Sequence, residues 1–231
     1  ITDSLVGSEM CIRDSDISKS KNFAKMREDF IGNVSHELRT PISVIQANAE
    51  TLIENKLIKD NKNAKSFTEA IFSQSQRMTA IVNDLLKISS MEAGEYPITI
   101  ESIDLFSITK NLIKEFKPST DEKKLVVQNN LNKQTRVMAD GAALKIILTN
   151  FISNAIKHSP KKACINIEES FSSKGYLRLS VSDEGKGVPK KYKERVFERF
   201  YRIDKGRSIE KGGTGLGLSI SKNLALMMGY S

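Results

Sequence analysis

The sequence predicts an α+β protein, in which an N-terminal antiparallel helical hairpin precedes an α/β sandwich with a mostly antiparallel sheet. Three observations support this prediction. A helical apolar period runs through residues 18–56 and resumes after residue 64, a glycine and a proline break it at residues 93–97, and short apolar strands then alternate with helices. Because 39% of the 231 residues are hydrophobic, the chain can form a substantial core.

The first helix, predicted over residues 18–56, has one apolar side. His36 projects from roughly the opposite side, and Pro41 predicts a bend just past it because proline removes a backbone donor. An exposed imidazole on a helix so well patterned for burial is a candidate nucleophile. The apolar side consists of Phe30, Val34, Leu38, Ile42, Ile45, Ala49 and Leu52.

The second helix follows a polar segment, residues 57–64, that predicts a turn. Its apolar residues recur at spacings of mainly three, four and seven. Because two antiparallel helices bury such a seam poorly alone, two copies would complete a four-helix bundle, and the pattern predicts a homodimer. The seam consists of Phe67, Ile71, Met78, Ile81, Leu85 and Ile88.

The break at residues 93–97 separates a helical domain, residues 16–93, from an α/β domain, residues 98–231. In the second domain Asp140 is a favourable N-cap for a helix that runs to about Lys157. Further helices are predicted at 105–116 and from 216, and strands at Ile98–Ile100, Leu125–Val127, Val137–Ala139, Ala163–Glu168 and Tyr176–Ser182.

Composition narrows the possible functions. The net charge of +8 comes mostly from scattered lysines, which indicate a solvated surface or attraction to a polyanion such as a nucleotide, an acidic protein or a membrane surface. Nucleic acid is disfavoured because the chain has no Trp and no basic run with interleaved aromatics. Two distant cysteines, Cys11 and Cys164, argue against a disulfide scaffold or a zinc site.

The N-terminus has no signal-peptide pattern, and no apolar run approaches the roughly 20 residues of a membrane span. The run from Ser4 to Ser15 resembles a translated adapter read-through. We therefore expect residues 1–15 to be a non-native leader.

Two neighbours of His36 suit phosphoryl chemistry. Thr40 lies one turn later on the same face, and Glu37 could accept the ring proton and stabilise the cation that forms. The alternative is an ordinary exposed histidine on a helix surface.

The helix after Asp140 carries two amides and a lysine on one side. An amide carbonyl is a hard ligand for Mg²⁺, and an ammonium can meet a phosphate. The alternative is a polar helix face. The residues on this side are Asn150, Asn154, Lys157 and His158.

Two glycine-rich loops follow. In the first, Asp183 could accept a hydrogen bond from an exocyclic amine such as that of adenine, while Gly185 and Gly187 let a ring approach the backbone. In the second, bare amides before a helix can bind phosphate. That loop contains Gly213, Thr214, Gly215, Leu216 and Gly217. Between the loops, Phe197 and Phe200 are predicted core anchors and residues 204–211 a mobile lid.

Five runs together resemble the sensor histidine kinases of bacterial two-component systems. They are SHELRTP, NFISNAIKHS, DEGKGVP, FERFYR and GGTGLGLSI, which are similar to the phosphoacceptor box, the N box, the first glycine box, the F box and the second glycine box. Each run alone is a modest signal, but all five in this order are highly specific. The resemblance extends from about Lys21 to Met228 and implies a phosphoacceptor hairpin followed by an ATP-binding domain of the histidine-kinase or GHKL type.

The resemblance also implies roles. His36 would take the γ-phosphate of ATP and pass it to an aspartate on a response-regulator receiver domain, with Glu37 as general base. Thr40 matches the position that orients a water when the enzyme dephosphorylates its regulator. Asn154 would bind Mg²⁺ and Asp183 would read adenine. Asn150, Lys157 and His158 would lie near the phosphates, and Gly185, Gly187, Gly213, Gly215 and Gly217 would shape the pocket.

The chain departs from the family in two ways. Members continue past the last helix with two further strands, and carry sensor and membrane regions upstream. We therefore expect the cytoplasmic portion of an inner-membrane-anchored bacterial protein, without its last two strands. His158 stands where many members have tyrosine. Two alternatives remain: a GHKL-type ATPase, or a truncated module that dimerises and docks without turning over ATP.

Overall fold

The computed structural model describes residue 34 and residues 38–52, 61–173, 176–203 and 213–230. The chain divides into two compact units after Ile81. The expected leader, the predicted nucleophile His36, its neighbour Glu37 and the predicted lid at residues 204–211 lie outside the described residues.

Two helices account for the described residues before the break. The first, α1, covers residues 38–52 and is continuous through Pro41. The second, α2 (Asn61–Glu92), begins earlier than expected, so residues 61–64 are helical and not part of a turn. It ends where Gly94 adopts a φ of +72° and its N–H donates to the Met91 carbonyl, a left-handed termination that suits glycine. Of the helices in the described ranges, none has the length and apolar character needed to span a bilayer.

The rest of the chain alternates strands and helices. The strands are β1 (Glu101–Asp104), β2 (Val126–Asn129), β3 (Arg136–Ala139), β4 (Cys164–Phe171) and β5 (Leu177–Asp183). The helices are α3 (Leu105–Glu115), α4 (Lys117–Lys123), α5 (Gly141–His158) and α6 (Gly217–Met227), with 3₁₀ turns at Lys190–Tyr192 and Arg195–Phe197.

These strands form two described sheets. In one, β1 pairs antiparallel with β3. In the other, β4 lies between β2, which is parallel to it, and β5, which is antiparallel. A helical region followed by an α/β unit with a mixed sheet confirms the predicted α+β class.

The strand predicted at Ile98–Ile100 is wrong. Strand β1 begins only at Glu101. The reason is a side chain distant in sequence, because the Thr99 N–H donates to Oδ2 of Asp140 at 2.8 Å and so serves a helix cap. Helix α4 was not predicted, and it starts with a proline in its first turn, where the missing N–H costs little.

Helix α5 is buried on two sides. On one side Leu148 and Ile152 pack in a cluster with Ile165 and Ile167 of β4. On another side Ala143 and Ile147 belong to a second cluster that joins the end of α2 to α6. The other buried members of the second cluster are Ile88, Met91, Leu216, Ile220 and Leu224. Burial of apolar side chains on both sides holds α5 rigidly between sheet and helices.

The two phenylalanines of the F box differ. Phe200 packs against the second cluster, as predicted. Phe197 is 37% exposed, so its prediction as a core anchor is wrong. Its ring lies 5.9 Å from the Lys222 ammonium of α6, which provides a partner at the surface.

Asp140 fixes the start of α5. Its Oδ1 accepts the Ala143 N–H at 2.8 Å and its Oδ2 accepts the Thr99 N–H. We expect Asp140→Ala to lower the free energy of unfolding by about 1–3 kcal/mol, because the buried N–H of Ala143 and the partly buried N–H of Thr99 lose their acceptor. Urea denaturation measures this loss. Asp121→Ala, which removes only an exposed ion pair with Lys117, should change the free energy of unfolding by less than about 0.5 kcal/mol.

The same contacts make the stabilising contribution of Asp140 depend on pH. The Ala143 N–H, and after it the Thr99 N–H, hold the pKa of this carboxyl below its ordinary value of 3.8. Its stabilising contribution is therefore present above pH 3.8 and disappears as pH falls through the lowered folded-state pKa. An Asp140→Asn variant should lose this part of the acid dependence, and an unchanged acid dependence would contradict the assignment.

Candidate functional site

Helix α5 carries four of the predicted site residues. They lie on the part of its surface that is not covered by the two buried sides. Asn150, Asn154 and Lys157 are half-buried, and His158, the last residue of the helix, is exposed. Their spacing places them along one side of the helix, as the sequence predicted. Both glycine-rich loops lie against this side.

The first glycine loop contacts the end of α5. After β5, the Gly185 N–H donates to Oδ1 of Asp183 at 2.7 Å. A Cβ added at Gly185 would lie 2.6 Å from that oxygen and 2.9 Å from the His158 carbonyl oxygen. Since no real side chain tolerates such contacts with backbone, only glycine lets the loop approach α5 this closely.

The second glycine loop contacts α5 at two places. A Cβ added at Gly213 would lie 2.6 Å from the Lys157 ammonium nitrogen. Further along, the Asn150 amide donates from Nδ2 to the Gly217 carbonyl at 2.9 Å and to Oγ of Ser221 at 3.0 Å. One helix therefore fixes the positions of both loops.

Gly215 is constrained by conformation and by space. Its φ is +74°, and an added Cβ would lie 2.9 Å from both the backbone C and the Cα of Phe200. The Phe200 N–H also donates to the Gly215 carbonyl at 2.9 Å. The F box and the second glycine loop are thus joined through their backbones.

Thr214 connects the second glycine loop to the end of α2. Its hydroxyl accepts the Leu216 N–H at 3.2 Å and lies 3.3 Å from Oδ2 of Asp84. Burial raises the pKa of Asp84, while the Lys87 ammonium, at 3.6 Å, and the Thr214 hydroxyl act in the opposite direction. A carboxylate held in a partly desolvated position makes this contact sensitive to the charge on Asp84.

The predicted residues differ in how closely the structure brings them together. Asn150, Lys157, His158, Asp183, Gly185, Gly213 and Gly217 are joined by the contacts above. Gly187 has a φ of +67° with nothing within 4 Å of an added Cβ, so its surroundings are open. Thr40 lies on an exposed part of α1 in the N-terminal unit.

Two contacting residues were missed by the sequence analysis. Ser221 lies one turn after Gly217, so helical spacing could have identified it as a neighbour of the loop. Asp84 contacts Thr214 across 130 positions of sequence, and no local pattern points to it.

A metal at this site would depend on few protein ligands. Among the described residues, no group of three or more His, Cys, Asp or Glu side chains is placed to hold an ion. Mg²⁺ is often bound through one or two protein oxygens together with substrate phosphates. The Asn154 amide, between Asn150 and Lys157 on the side of α5 that meets the glycine loops, fits that mode.

Two family models match the chain. Residues 26–94 match the His Kinase A (phospho-acceptor) domain, and residues 139–231 match the histidine kinase-, DNA gyrase B- and HSP90-like ATPase. The first match contains His36, Glu37 and Thr40. The second contains α5, both glycine loops and α6.

Individual relatives agree with these matches. The chain is 33% identical over 210 residues to the sensor-like histidine kinase SenX3 of Mycolicibacterium smegmatis, covering 91% of this chain and 54% of that protein. It is 35% identical over 216 residues to the sensor histidine kinase WalK of Bacillus subtilis, covering 90% and 34%. The chain therefore spans about half of the first relative and a third of the second.

A solved structure shares the fold. The Acinetobacter baumannii histidine kinase AdeS superposes with a TM-score of 0.68 at 25% identity, covering 83% of this chain and 86% of that one.

Proposed function

The chain belongs to the sensor histidine kinases of two-component signalling, and we propose that it transfers the γ-phosphate of ATP to His36 and then to an aspartate of a response regulator. One observation supports this proposal above the others. Helix α5 touches the first glycine loop through His158 and the second through Lys157 and Asn150. A helix that carries amide, ammonium and imidazole side chains and lies between two glycine loops can bind a nucleotide along its length.

The nucleotide base would lie at the first loop. Asp183 already uses Oδ1 to accept the Gly185 N–H, and its Oδ2 would accept a hydrogen bond from the exocyclic amine of adenine. The glycine side of the loop, at Gly185 and Gly187, has no side chain to obstruct a flat ring. These groups would give preference for adenine over bases with a carbonyl at the same position.

The phosphates would lie at the second loop. The Lys157 ammonium, adjacent to Gly213, would neutralise phosphate charge. The backbone amides from Thr214 to Gly217 lie at the start of α6, at the positive end of its dipole, with the Leu216 N–H already bound to the Thr214 hydroxyl. Asn150 would act here by holding the start of α6. His158 would contribute its polar ring at the exposed end of α5.

Asn154 would hold Mg²⁺ through its amide oxygen. The ion would neutralise charge on the phosphates and favour their transfer. The chain itself supplies the ammonium of Lys157 and a set of fixed amides, which orient the phosphates by charge and hydrogen bonding.

The acceptor side of the reaction would use the first helix. A ring nitrogen of His36 would form a bond to the γ-phosphorus while the bond from that phosphorus to the β–γ bridging oxygen breaks, which releases ADP. Glu37 would accept the ring proton. The phosphoryl group would then pass to an aspartate carboxylate of the receiver domain. Thr40 would orient the water that hydrolyses the phosphorylated regulator.

We propose that the working unit is a homodimer. Phe67, Ile71 and Met78 of the predicted seam are only half-buried in one chain, whereas Ile81 and Ile88 are already buried. A second copy of the hairpin would cover the half-buried part.

Titration of the purified chain with Mg·AMPPNP, a non-hydrolysable ATP analogue, tests the nucleotide site. We expect saturable binding that depends on Mg²⁺. Asn154→Asp should weaken it about tenfold or more, because an added carboxylate charge repels the phosphates and alters metal ligation. Asn111→Asp, the same change at an exposed position of α3, is the matched control and should bind normally.

Calorimetry with and without Mg²⁺ separates the possible outcomes. A wild-type chain that binds no nucleotide would contradict the catalytic proposal and favour the docking module. Equal affinities for the Asn154→Asp and wild-type chains would remove Asn154 from the metal site while leaving nucleotide binding in place.

A further inference from the structure

The ammonium of Lys123, at the end of α4, closes the C-terminus of α5. Its Nζ donates to the carbonyls of Ile156 at 2.7 Å, Lys157 at 3.0 Å and Ser159 at 3.5 Å. The last four carbonyls of a helix have no partners within the helix, and they form the negative end of its dipole. A half-buried lysine from another element satisfies two of them here, together with the carbonyl of the cap residue Ser159. The contact is made across more than 30 positions of sequence.

The backbone that Lys123 holds is the backbone that touches both glycine loops. The carbonyls of Lys157 and Ser159 flank His158, whose own carbonyl limits the approach of Gly185. The side chain of Lys157 leaves the same turn and reaches Gly213. A shift of this turn would therefore displace the adenine end and the phosphate end of the site together.

We infer that Lys123 is a positioning residue of the nucleotide site: it holds the end of α5 where its backbone meets the first glycine loop and where the side chain of Lys157 reaches the second. This inference rests on the proposed function. It adds a residue on α4, outside both glycine loops and outside the helix that bears the proposed ligands.

The experiment compares Lys123→Met with two controls in the whole chain, by calorimetric titration with Mg·AMPPNP. Lys123→Met should weaken binding about tenfold, the lower range of what supporting partners contribute to a site. Lys161→Met removes an equal charge from an exposed position just beyond α5 and should bind normally. Asp104→Ala removes the cap of α3, where Asp104 accepts the Ser107 N–H at 2.9 Å, and should lower Tm without changing affinity.

A double-mutant cycle separates positioning from general stability. If Lys123 acts by positioning this turn, Lys123→Met should reduce affinity less in a Lys157→Met background than in the wild-type chain, because one of the groups that it positions is already absent. Lys123→Arg should restore most of the affinity, because a guanidinium can donate to the same carbonyls. Should Lys123→Met fail to fold, Lys123→Gln replaces it, since its amide retains a donor without the charge.

The outcomes are distinct. Normal affinity in a folded Lys123→Met or Lys123→Gln chain with lowered Tm would reduce Lys123 to a structural cap and overturn the inference alone. Full additivity with Lys157→Met would also overturn it. A wild-type chain that binds no Mg·AMPPNP would overturn the proposed function and this inference with it.

Discussion

Replacing His36 with glutamine is expected to reduce incorporation of ³²P from γ-labelled ATP to background. Glutamine has a similar size and polarity, but its amide nitrogen is not a nucleophile, so no bond to phosphorus can form. Affinity for Mg·AMPPNP should remain at the wild-type value, because the proposed nucleotide site lies in α5, α6 and the two glycine loops. The measurement is autoradiography of the denatured chain, together with a titration of the folded one.

The second histidine provides the matched control. The chain contains only two histidines, His36 and His158. Label in a His158→Gln chain should therefore remain acid-labile and alkali-stable, as a phosphorus–nitrogen bond requires, although nucleotide affinity falls. Label that persists in the His36→Gln chain would show that another residue accepts the phosphate.

Replacing Gly215 with alanine is expected to lower the free energy of unfolding by about 3 kcal/mol. About 1 kcal/mol comes from placing an L-residue in the left-handed region, and about 2 kcal/mol from overpacking against rigid backbone. The added Cβ would meet the backbone C and Cα of Phe200 at 2.9 Å, and neither can move away as a side chain could. Since the loop must shift to relieve this contact, affinity for Mg·AMPPNP should also fall.

Gly94→Ala is the control for backbone conformation. Gly94 has a φ of +72°, close to the +74° of Gly215, but nothing lies within 4 Å of an added Cβ. Gly94→Ala should therefore lower the free energy of unfolding by only about 1 kcal/mol, the effect of placing an L-residue in the left-handed region. Urea denaturation measures the free energy of unfolding of both variants. Equal decreases in the two variants would show that the clash with Phe200 is not the cause of the destabilisation at Gly215.

Local patterns predicted the helix that carries the proposed site. Asp140 as N-cap and the apolar period up to Lys157 placed α5 correctly, because both signals act over one or a few turns. The same helical spacing placed Asn150, Asn154 and Lys157 on one side. The five motifs then indicated the family and the two glycine loops as their partners.

Contacts between distant residues were not predictable. The N–H of Thr99 serves the cap at Asp140 and not a strand, so the sequence misplaced the start of β1. Phe197 is a large apolar residue of the kind usually found in a core, but it is exposed and its ring lies near the Lys222 ammonium at the surface. Asp84 meets Thr214 only because the end of α2 and the second glycine loop fold into the same unit. Such pairings depend on tertiary structure, which periodicity does not encode.

The enclosure of α5 limits how this protein can adapt. One side of the helix belongs to the sheet cluster, another to the cluster with α6, and the accessible turns from Asn150 to His158 lie against the glycine loops. If the proposed nucleotide site is correct, we expect a change on any of these surfaces to alter stability and nucleotide affinity together. On the same proposal, we expect nucleotide preference to be adjusted more freely by substitutions in the open surroundings of Gly187 than along α5, so directed mutagenesis for altered analogues should begin there.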